Sequence, residues 1–220
     1  MKTVSDKKML CSWSGGKDSC FALMQAVKEG YQPEVLLNVL NETGLRSRSH
    51  GIPPGLLEQQ AMAADLPIHT ISSSWQAYEA QFITALQSLK KQYDLSYAVF
   101  GDIDLQPHRD WEEKVCAQAE LRALLPLWQQ NRRKLVLEMI GSGIEAMIVS
   151  CNEEMGESYL GRMLGPSLLT ELETMGIDAC GENGEFHTFV INCPLFSYAV
   201  PVKVTGKQQH NGYWFADLAL

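Results

Sequence analysis

The residues best suited to chemistry form two short polar runs, one near each end of the chain. Residues 14–19 read Ser-Gly-Gly-Lys-Asp-Ser and follow an apolar run at residues 9–13. Glycines let backbone N–H groups approach a ligand, and a helix starting there adds the positive end of its dipole. Lys17 adds a formal charge, and the hydroxyls of Ser14 and Ser19 can donate to phosphate oxygens. This run predicts a phosphate-binding loop.

The order of residues in the loop excludes two common nucleotide-binding loops. A Walker A loop needs Ser or Thr directly after Gly-Lys, where this chain has Asp18. A dinucleotide fingerprint needs Gly-x-Gly-x-x-Gly, which the loop lacks. The plainer interpretation, a glycine turn that caps a helix, would bind no ligand. Asp18 favours the binding interpretation, because a carboxylate there can hold Mg²⁺ beside phosphates.

The second polar run, residues 178–188, reads Asp-Ala-Cys-Gly-Glu-Asn-Gly-Glu-Phe-His-Thr. Its carboxylates and imidazole, Glu182, Glu185 and His187, are groups that can exchange protons near neutral pH. If a strand begins at Glu185, that side chain and His187 lie on one face of it. A polar turn that enters an edge strand accounts for the same composition without any chemistry. The sequence alone leaves both interpretations open.

The elements that must position these runs alternate in the first half of the chain. Strands are predicted at residues 8–13, 34–41, 68–72 and 97–101, and helices at 17–29, 55–64, 75–93 and 109–119. Such alternation predicts a parallel sheet covered by helices on both faces. Ligands of these sheets bind at the carboxyl ends of the strands. We therefore expect Gly101 and Asp102, which end the fourth strand, to lie beside the phosphate-binding loop.

The second half has a different pattern, with fewer helices and more strands. Helices are predicted at residues 131–142 and 166–175, and strands at 145–149, 185–191, 200–205 and 213–218. Asn211-Gly212 predicts a tight hairpin turn before the last strand. We place the domain boundary at residue 128, which divides the chain into a nucleotide-binding domain, 1–128, and a substrate-binding domain, 129–220.

Composition excludes several classes of protein. The formal net charge of −8 disfavours a broad nucleic-acid surface. No apolar run approaches the length of a membrane span, and residues 1–8 do not resemble a signal peptide, so we expect a cytoplasmic protein without membrane contact. Six scattered cysteines with no Cys-x-x-Cys pair are expected to be reduced thiols rather than disulfides or a zinc site.

Residues 14–19 match the PP-loop of the ATP pyrophosphatases, Ser-Gly-Gly-x-Asp-Ser. Together with residues 181–188 they resemble the diphthine–ammonia ligase family of those enzymes. Further matches occur in the expected order across nearly the whole chain: Gly101, Asp102, Ile103, His108, Arg109, Trp111, Glu113, Cys116, Pro126, Leu127, Trp128, Gly161, Arg162, Cys193 and Pro194. The resemblance implies an α/β fold, with an N-terminal doubly wound parallel-sheet domain of the HUP type and a smaller C-terminal α+β domain.

The resemblance also implies an activity. A substrate carboxylate, small-molecule or protein-borne, attacks the α-phosphorus of ATP, and ammonia then displaces AMP to leave an amide. ATP and Mg²⁺ are the implied cofactors, and a homodimer is left open. The implied nucleotide-binding residues are Ser12, Ser14, Gly15, Gly16, Lys17, Asp18, Ser19, Gly101 and Asp102, with Asp18 and Asp102 as metal ligands. The implied catalytic residues are Lys17, Asp18, Glu182, Glu185 and His187.

One departure from the family pattern bears on the acceptor. Diphthine ligases carry Glu-Gly-Gly-Glu-Tyr/Phe-Glu-Thr in the second motif, whereas this chain has Asn183 in place of a glycine and His187 in place of a glutamate. This form resembles a paralogous branch, so we expect an acceptor other than diphthine. Diphthine–ammonia ligase itself is one alternative. A nucleotide sensor without turnover is another.

Two further positions are left open by the sequence. His50 lies in the loop after the second predicted strand and is either a nucleotide contact or an exposed loop histidine. Arg109 and Glu113 are four residues apart on a predicted helix, and they form either part of the site or a surface ion pair.

Overall fold

The computed structural model describes residues 7–220, so the expectation about a signal peptide rests mainly on residues outside the described range. Nine strands and six α-helices are found in that range, with one 3₁₀ turn at Glu157–Tyr159. In chain order they are β1 Lys8–Ser12, α1 Lys17–Lys28, β2 Gln32–Leu40, α2 Pro54–Ala63, β3 Ile68–Ser72, α3 Tyr78–Tyr93, β4 Tyr97–Val99, α4 Gln106–Gln118, β5 Arg122–Leu124, α5 Arg132–Gly141, β6 Glu145–Asn152, α6 Pro166–Thr174, β7 Phe186–Asn192, β8 Lys203–His210 and β9 Tyr213–Ala219.

The first sheet is parallel throughout and has the strand order β3-β2-β1-β4-β5. Its central strands β1 and β4 are buried along nearly their whole length. Along β1, Met9 and Cys11 face one hydrophobic cluster with α1 and α2, while Leu10 faces a second cluster with α3 and α4. This alternation is what a sheet covered by helices on both sides requires. The predicted doubly wound α/β fold is therefore confirmed.

The strand order reverses between β1 and β4, and this places the site. From β1 the chain builds outward to β2 and β3, then returns to β4 beside β1 and continues to β5. A crevice forms where the order reverses, at the carboxyl ends of the two strands. The loop that follows β1 and the loop that follows β4 meet there, as predicted.

The second sheet is antiparallel, with the order β7-β6-β9-β8. The predicted hairpin between β8 and β9 is confirmed, since His210 pairs with Tyr213 and both Asn211 and Gly212 have positive φ angles of 49° and 81°. The predicted strand at residues 200–205 is wrong in extent, because β8 runs from Lys203 to His210. Its second half is polar and exposed, and so lacks the apolar alternation that marks a strand.

The two sheets share one hydrophobic cluster. Leu36 and Leu57 of the first half pack in the same cluster as Ile148 and Phe189 of the second sheet. The boundary at residue 128 stays a prediction, since the packing is continuous across the chain. All six cysteines are free and buried in the structure, and their reduced state stays a prediction. Among residues 7–220, no helix combines the length and the apolar character that a membrane span needs.

Candidate active site

The phosphate-binding loop connects β1 to the first turn of α1 and is held by its own hydroxyls. The hydroxyls of Ser14 and Ser19 lie 3.0 Å apart, and Gly16 N donates to Ser14 Oγ at 3.2 Å. Gly15 adopts a φ of 84°, a conformation that favours glycine. Gly16 has no room for a side chain, because a Cβ there would lie 2.5 Å from Cε1 of His50. Two residues of the loop thus lack side chains beside a helix N-terminus, a position where anions bind.

Lys17 lies beneath this loop and is 2% exposed. Its ammonium group donates to Asp18 Oδ2 at 2.8 Å and to the carbonyl oxygen of Cys180 at 2.5 Å. Burial alone would lower the pKa of Lys17, but the charges of Asp18 and Glu182 raise it above its ordinary value. Lys17 is therefore a fixed cation that joins the loop to the second polar run.

Two neighbouring cavities that share lining residues open beside the loop. The outer cavity has a volume of about 590 Å³ and is bounded by the loop and by aromatic side chains, among them Tyr78 and Trp111. The inner cavity has a volume of about 230 Å³ and reaches Lys17 and Phe186. Six residues line both cavities, and we call them the junction: Asp18, His50, Asp102, His108, Glu182 and His187.

The junction brings together both polar runs, which are more than 150 residues apart in the chain. His187 on β7 stacks against His50, with ring centroids 4.6 Å apart. His50 Nδ1 lies 2.8 Å from the carbonyl oxygen of Thr188, and a carbonyl only accepts, so Nδ1 carries the proton and Nε2 is bare. Burial lowers the pKa of His50 to about 4 and that of His187 to about 3. Both imidazoles are therefore neutral at physiological pH.

Glu182 faces the junction from the loop before β7. Burial, together with the nearby charge of Asp18, raises the pKa of Glu182 to about 8. A carboxyl group that titrates close to neutral pH can both donate and accept a proton there. This position agrees with the catalytic role that was predicted for Glu182, and the role itself stays a prediction.

Glu185 occupies a different position from the one the sequence predicted. It precedes β7, and its carboxylate accepts hydrogen bonds from Asp178 N at 3.2 Å and from Asn183 N at 3.0 Å. The Asn183 side chain also donates to it at 3.0 Å. These contacts turn the Glu185 carboxylate into the loop and away from the cavities that His187 lines. It organises the loop that carries Glu182.

Asp102 lies at the junction as predicted, and its neighbours on α4 were missed. Its carboxylate lies 2.7 Å from His108 Nδ1. Burial would raise the pKa of Asp102, but hydrogen bonds from His108 and Glu112 lower it. Burial and the hydrogen bond with Asp102 raise the pKa of Glu112 to about 11. Glu112 is therefore protonated, and its carboxyl O–H donates a hydrogen bond to the Asp102 carboxylate. The i, i+4 spacing of His108 and Glu112 was the available signal, because it places both on one face of α4.

The structure also shows where His50, the Arg109–Glu113 pair and Gly101 lie. His50 is 8% exposed and lies at the junction, so the exposed-loop alternative is wrong. Arg109 and Glu113 form an exposed ion pair at 2.7 Å, as the surface alternative predicted. Gly101 lies against the loop, because a Cβ on it would lie 2.7 Å from Ser19 N. The predicted role of Gly101 is thus refined to close packing of backbone on backbone.

Two family models match nearly the whole described chain. The family described as diphthamide synthase N-terminal domain matches residues 7–123, and the diphthamide synthase C-terminal domain matches residues 131–219. The chain belongs to the diphthamide synthase family. The predicted family resemblance is thereby confirmed.

Curated relatives of this diphthamide synthase family member cover most of its length. The diphthine–ammonia ligase of Rattus norvegicus is 29% identical over 94% of this chain and 86% of its own. The human enzyme of the same name is 31% identical over the same shares. A solved structure, described as a predicted subunit of tRNA methyltransferase from Methanocaldococcus jannaschii, covers 85% of this chain and 98% of its own at 17% identity and a TM-score of 0.49. That likeness is too distant to bear on function.

The residues of this family member suit a magnesium ion that is shared with phosphates. Asp18 Oδ1 is buried without a hydrogen-bond partner, while Oδ2 is held by Lys17. Residues 7–220 contain no group of three or more His, Cys, Asp or Glu side chains arranged to hold a metal. Mg²⁺ is usually bound by one or two carboxylates plus substrate phosphates, so Asp18 and Asp102 fit it.

Proposed function

We propose that this protein is an ATP-dependent amide ligase that joins diphthine and ammonia through an acyl adenylate, releasing AMP and pyrophosphate. The observation that carries the proposal is the junction, where Asp18 of the phosphate-binding loop meets Glu182 and His187. Diphthine–ammonia ligases at 29–31% identity support this acceptor over the expectation of a different one.

The first step needs phosphate binding and alignment more than a dedicated nucleophile. Backbone N–H groups at the start of α1 and the hydroxyls of Ser14 and Ser19 bind the phosphates of ATP in the outer cavity. The acceptor carboxylate reaches the junction and attacks the α-phosphorus, which forms one P–O bond while the bond to pyrophosphate breaks. A magnesium ion supplies charge neutralisation on the phosphates.

The second step needs a proton acceptor. Ammonia attacks the acyl carbon, AMP leaves, and the nitrogen loses one proton as the amide forms. Glu182, with a pKa of about 8, can take that proton. The imidazoles of His50 and His187 stay neutral, because pKa values of about 4 and 3 make them weak bases at neutral pH.

The test follows the α-phosphate of ATP. Protein, ATP, Mg²⁺ and ammonium chloride are incubated with and without an acceptor that carries diphthine, and AMP, ADP and pyrophosphate are separated. AMP and pyrophosphate that depend on the acceptor support the proposal, while ADP and phosphate exclude adenylation. Glu182→Gln should lose the acceptor-dependent AMP, whereas Glu154→Gln, at an exposed position, should keep it.

His187 favours a second candidate acceptor. A neutral imidazole stands where the family pattern has a carboxylate, so the junction carries less negative charge beside Glu182. That change suits a carboxylate acceptor other than diphthine. The same assay with a panel of carboxylate metabolites distinguishes the two: AMP with a metabolite and none with diphthine selects the second candidate. Tight ATP binding without turnover on any acceptor would instead indicate a sensor.

A further inference from the structure

Arg132, the first residue of α5, holds three side chains from two parts of the chain. Its Nε and Nη2 atoms donate to the two carboxylate oxygens of Asp104 at 2.7 and 2.6 Å. Its Nη1 atom donates to Asp178, and lies 3.3 Å from the side-chain oxygen of Asn183. Only a planar guanidinium can bind one carboxylate with two nitrogens and reach a second with the third.

The partners of Arg132 belong to the two walls of the junction. Asp104 lies two residues beyond Asp102, in the loop between β4 and α4. Asp178 and Asn183 flank the segment that carries Glu182. Asp102 and Glu182 both line the outer and the inner cavity. Arg132 therefore connects the wall bearing Asp102 to the wall bearing Glu182 through side chains outside the lining of the two cavities.

Hydrogen bonds within residues 178–185 hold the wall bearing Glu182 together. The Glu185 carboxylate binds the backbone of Asp178 and Asn183, and Asp178 Oδ1 accepts from Cys180 N at 3.0 Å. A shift of Asp178 would therefore carry Glu182 with it. On the inner side this unit meets Lys17 through the carbonyl oxygen of Cys180. Arg132 holds it on the outer side.

We propose that Arg132 is a positioning residue that sets the gap between Asp102 and Glu182, and thereby places the acceptor against the bound nucleotide. The inference rests on the proposed function. The Arg132 side chain lines neither of these two cavities, so it acts on the acceptor step rather than on ATP binding. Its contacts are partly sheltered, with 25% of the Arg132 side chain and 11% of the Asp178 side chain exposed.

The experiment compares Arg132→Lys with Arg133→Met. Lysine keeps the charge but cannot bind Asp104 and Asp178 together. Arg133 is the neighbour on the same helix, and it makes a single ion pair with Glu173 at a side-chain exposure of 58%. We expect Arg132→Lys to raise the KM for the acceptor by about tenfold and to release more AMP per amide, with the KM for ATP changed less than about twofold. Arg133→Met should match the wild type in all three.

A double variant separates positioning from a general loss of structure. Asp104→Asn weakens the same Arg132–Asp104 ion pair from the side of the carboxylate. If both residues act through this contact, the double variant Asp104→Asn/Arg132→Lys should have a KM for the acceptor no higher than that of the more affected single variant. Additive losses, or equal effects on the KM for ATP and the KM for the acceptor, would overturn the inference.

Amide hydrogen exchange tests the contact without turnover. Arg132→Lys should speed exchange in residues 178–185 and leave residues 14–19 unchanged, and Arg133→Met should change neither. If the wild type forms no AMP with any acceptor, the proposed function fails. The exchange comparison then still decides whether Arg132 holds the loop, and unchanged exchange in Arg132→Lys would overturn it.

Discussion

At the residue scale, the site divides its tasks between two groups of side chains. Lys17 and the loop hydroxyls are the proposed phosphate contacts, while His187 and Glu182 line both cavities. His187 makes no hydrogen bond to the phosphate-binding loop in the structure, whereas Lys17 is bonded to Asp18 and to Cys180. The two groups should therefore fail in different ways when they are altered.

Lys17→Ala and His187→Ala test this division. Lys17→Ala removes the cation that neutralises Asp18, so the Kd for ATP should rise by about tenfold or more. His187→Ala should leave that Kd within about twofold and lower acceptor-dependent AMP formation by at least about tenfold. Titration calorimetry measures the first quantity and the AMP assay the second. His210→Ala, on exposed β8, is the control; loss of ATP binding in His187→Ala would contradict the division.

His50 should make the folded protein less stable as the pH falls below neutral. Its pKa is lowered from 6.5 to about 4 by burial and by the charge of Lys17. Between those values the unfolded chain binds a proton that the folded chain does not, so stability falls as the pH falls through this window. Relative to the wild type, His50→Gln should lose about 2 kcal/mol less on going from pH 7 to pH 5.

Urea unfolding at the two pH values measures that difference. Glutamine can still donate a hydrogen bond to the carbonyl oxygen of Thr188, which makes it the conservative substitution. His210→Gln should follow the wild type, because that side chain is exposed. An equal loss in His50→Gln and the wild type would mean that His50 is charged in the folded state.

At the element scale, the phosphate-binding loop depends on how closely the loop after β4 approaches it. A Cβ on Gly101 would lie 2.7 Å from the carbonyl carbon of Asp18 and from Ser19 N. Gly101→Ala should therefore displace the loop, lower the free energy of unfolding by about 1–3 kcal/mol and weaken ATP binding. Thermal unfolding with and without ATP measures both effects.

Gly55→Ala is the matched control for that substitution. Gly55 lies in α2, where a Cβ would have no other heavy atom within 4 Å, so alanine there should keep stability or raise it by about 1 kcal/mol. If Gly101→Ala behaves like Gly55→Ala, the close approach of the two loops does not support the site.

The elements also show what the sequence could and could not predict. Apolar strands followed by glycine turns predicted the first sheet and placed Asp18 and Asp102 at one edge. Strand β5 was not predicted, because its three residues are exposed or half-buried and lack the fully buried apolar run of β4. Glu185 was placed wrongly, because a strand pattern says which face a side chain shares and nothing of the backbone amides a carboxylate can bind. His50 reaches the junction through loop geometry that no local pattern encodes.

At the scale of the whole molecule, Gln60 connects the two sheets at the phosphate-binding loop. It is fully buried and accepts from Trp13 Nε1 at 2.9 Å. Its amide nitrogen donates to the carbonyl oxygens of Gly15 and Val190, at 3.0 and 2.7 Å. One side chain thus joins β1, the loop and β7.

Gln60→Leu should leave the Trp13 Nε1 donor without its partner and remove one hydrogen bond from each of the carbonyl oxygens of Gly15 and Val190, at a cost of about 2–4 kcal/mol of stability. Because the hydrophobic cluster is continuous between the sheets, we expect one cooperative transition by circular dichroism and by tryptophan fluorescence in both proteins. Gln59→Leu is the control, since its amide contacts only Met62. Two separate transitions in the wild type would show that the sheets unfold independently.

The hydroxyl groups around the start of α1 have a consequence for how a nucleotide arrives. Gly16 N donates to Ser14 Oγ, and Lys17 N donates to Thr188 Oγ1 at 3.0 Å. Side-chain hydroxyls thus occupy the places that phosphate oxygens take at such helix ends. A phosphate oxygen that binds either N–H group must therefore displace a hydroxyl oxygen, and that hydroxyl can rotate and donate to the phosphate. Because Thr188 belongs to β7, the strand that carries His187, we expect nucleotide binding to remove one of the hydrogen bonds that join the loop to the second sheet.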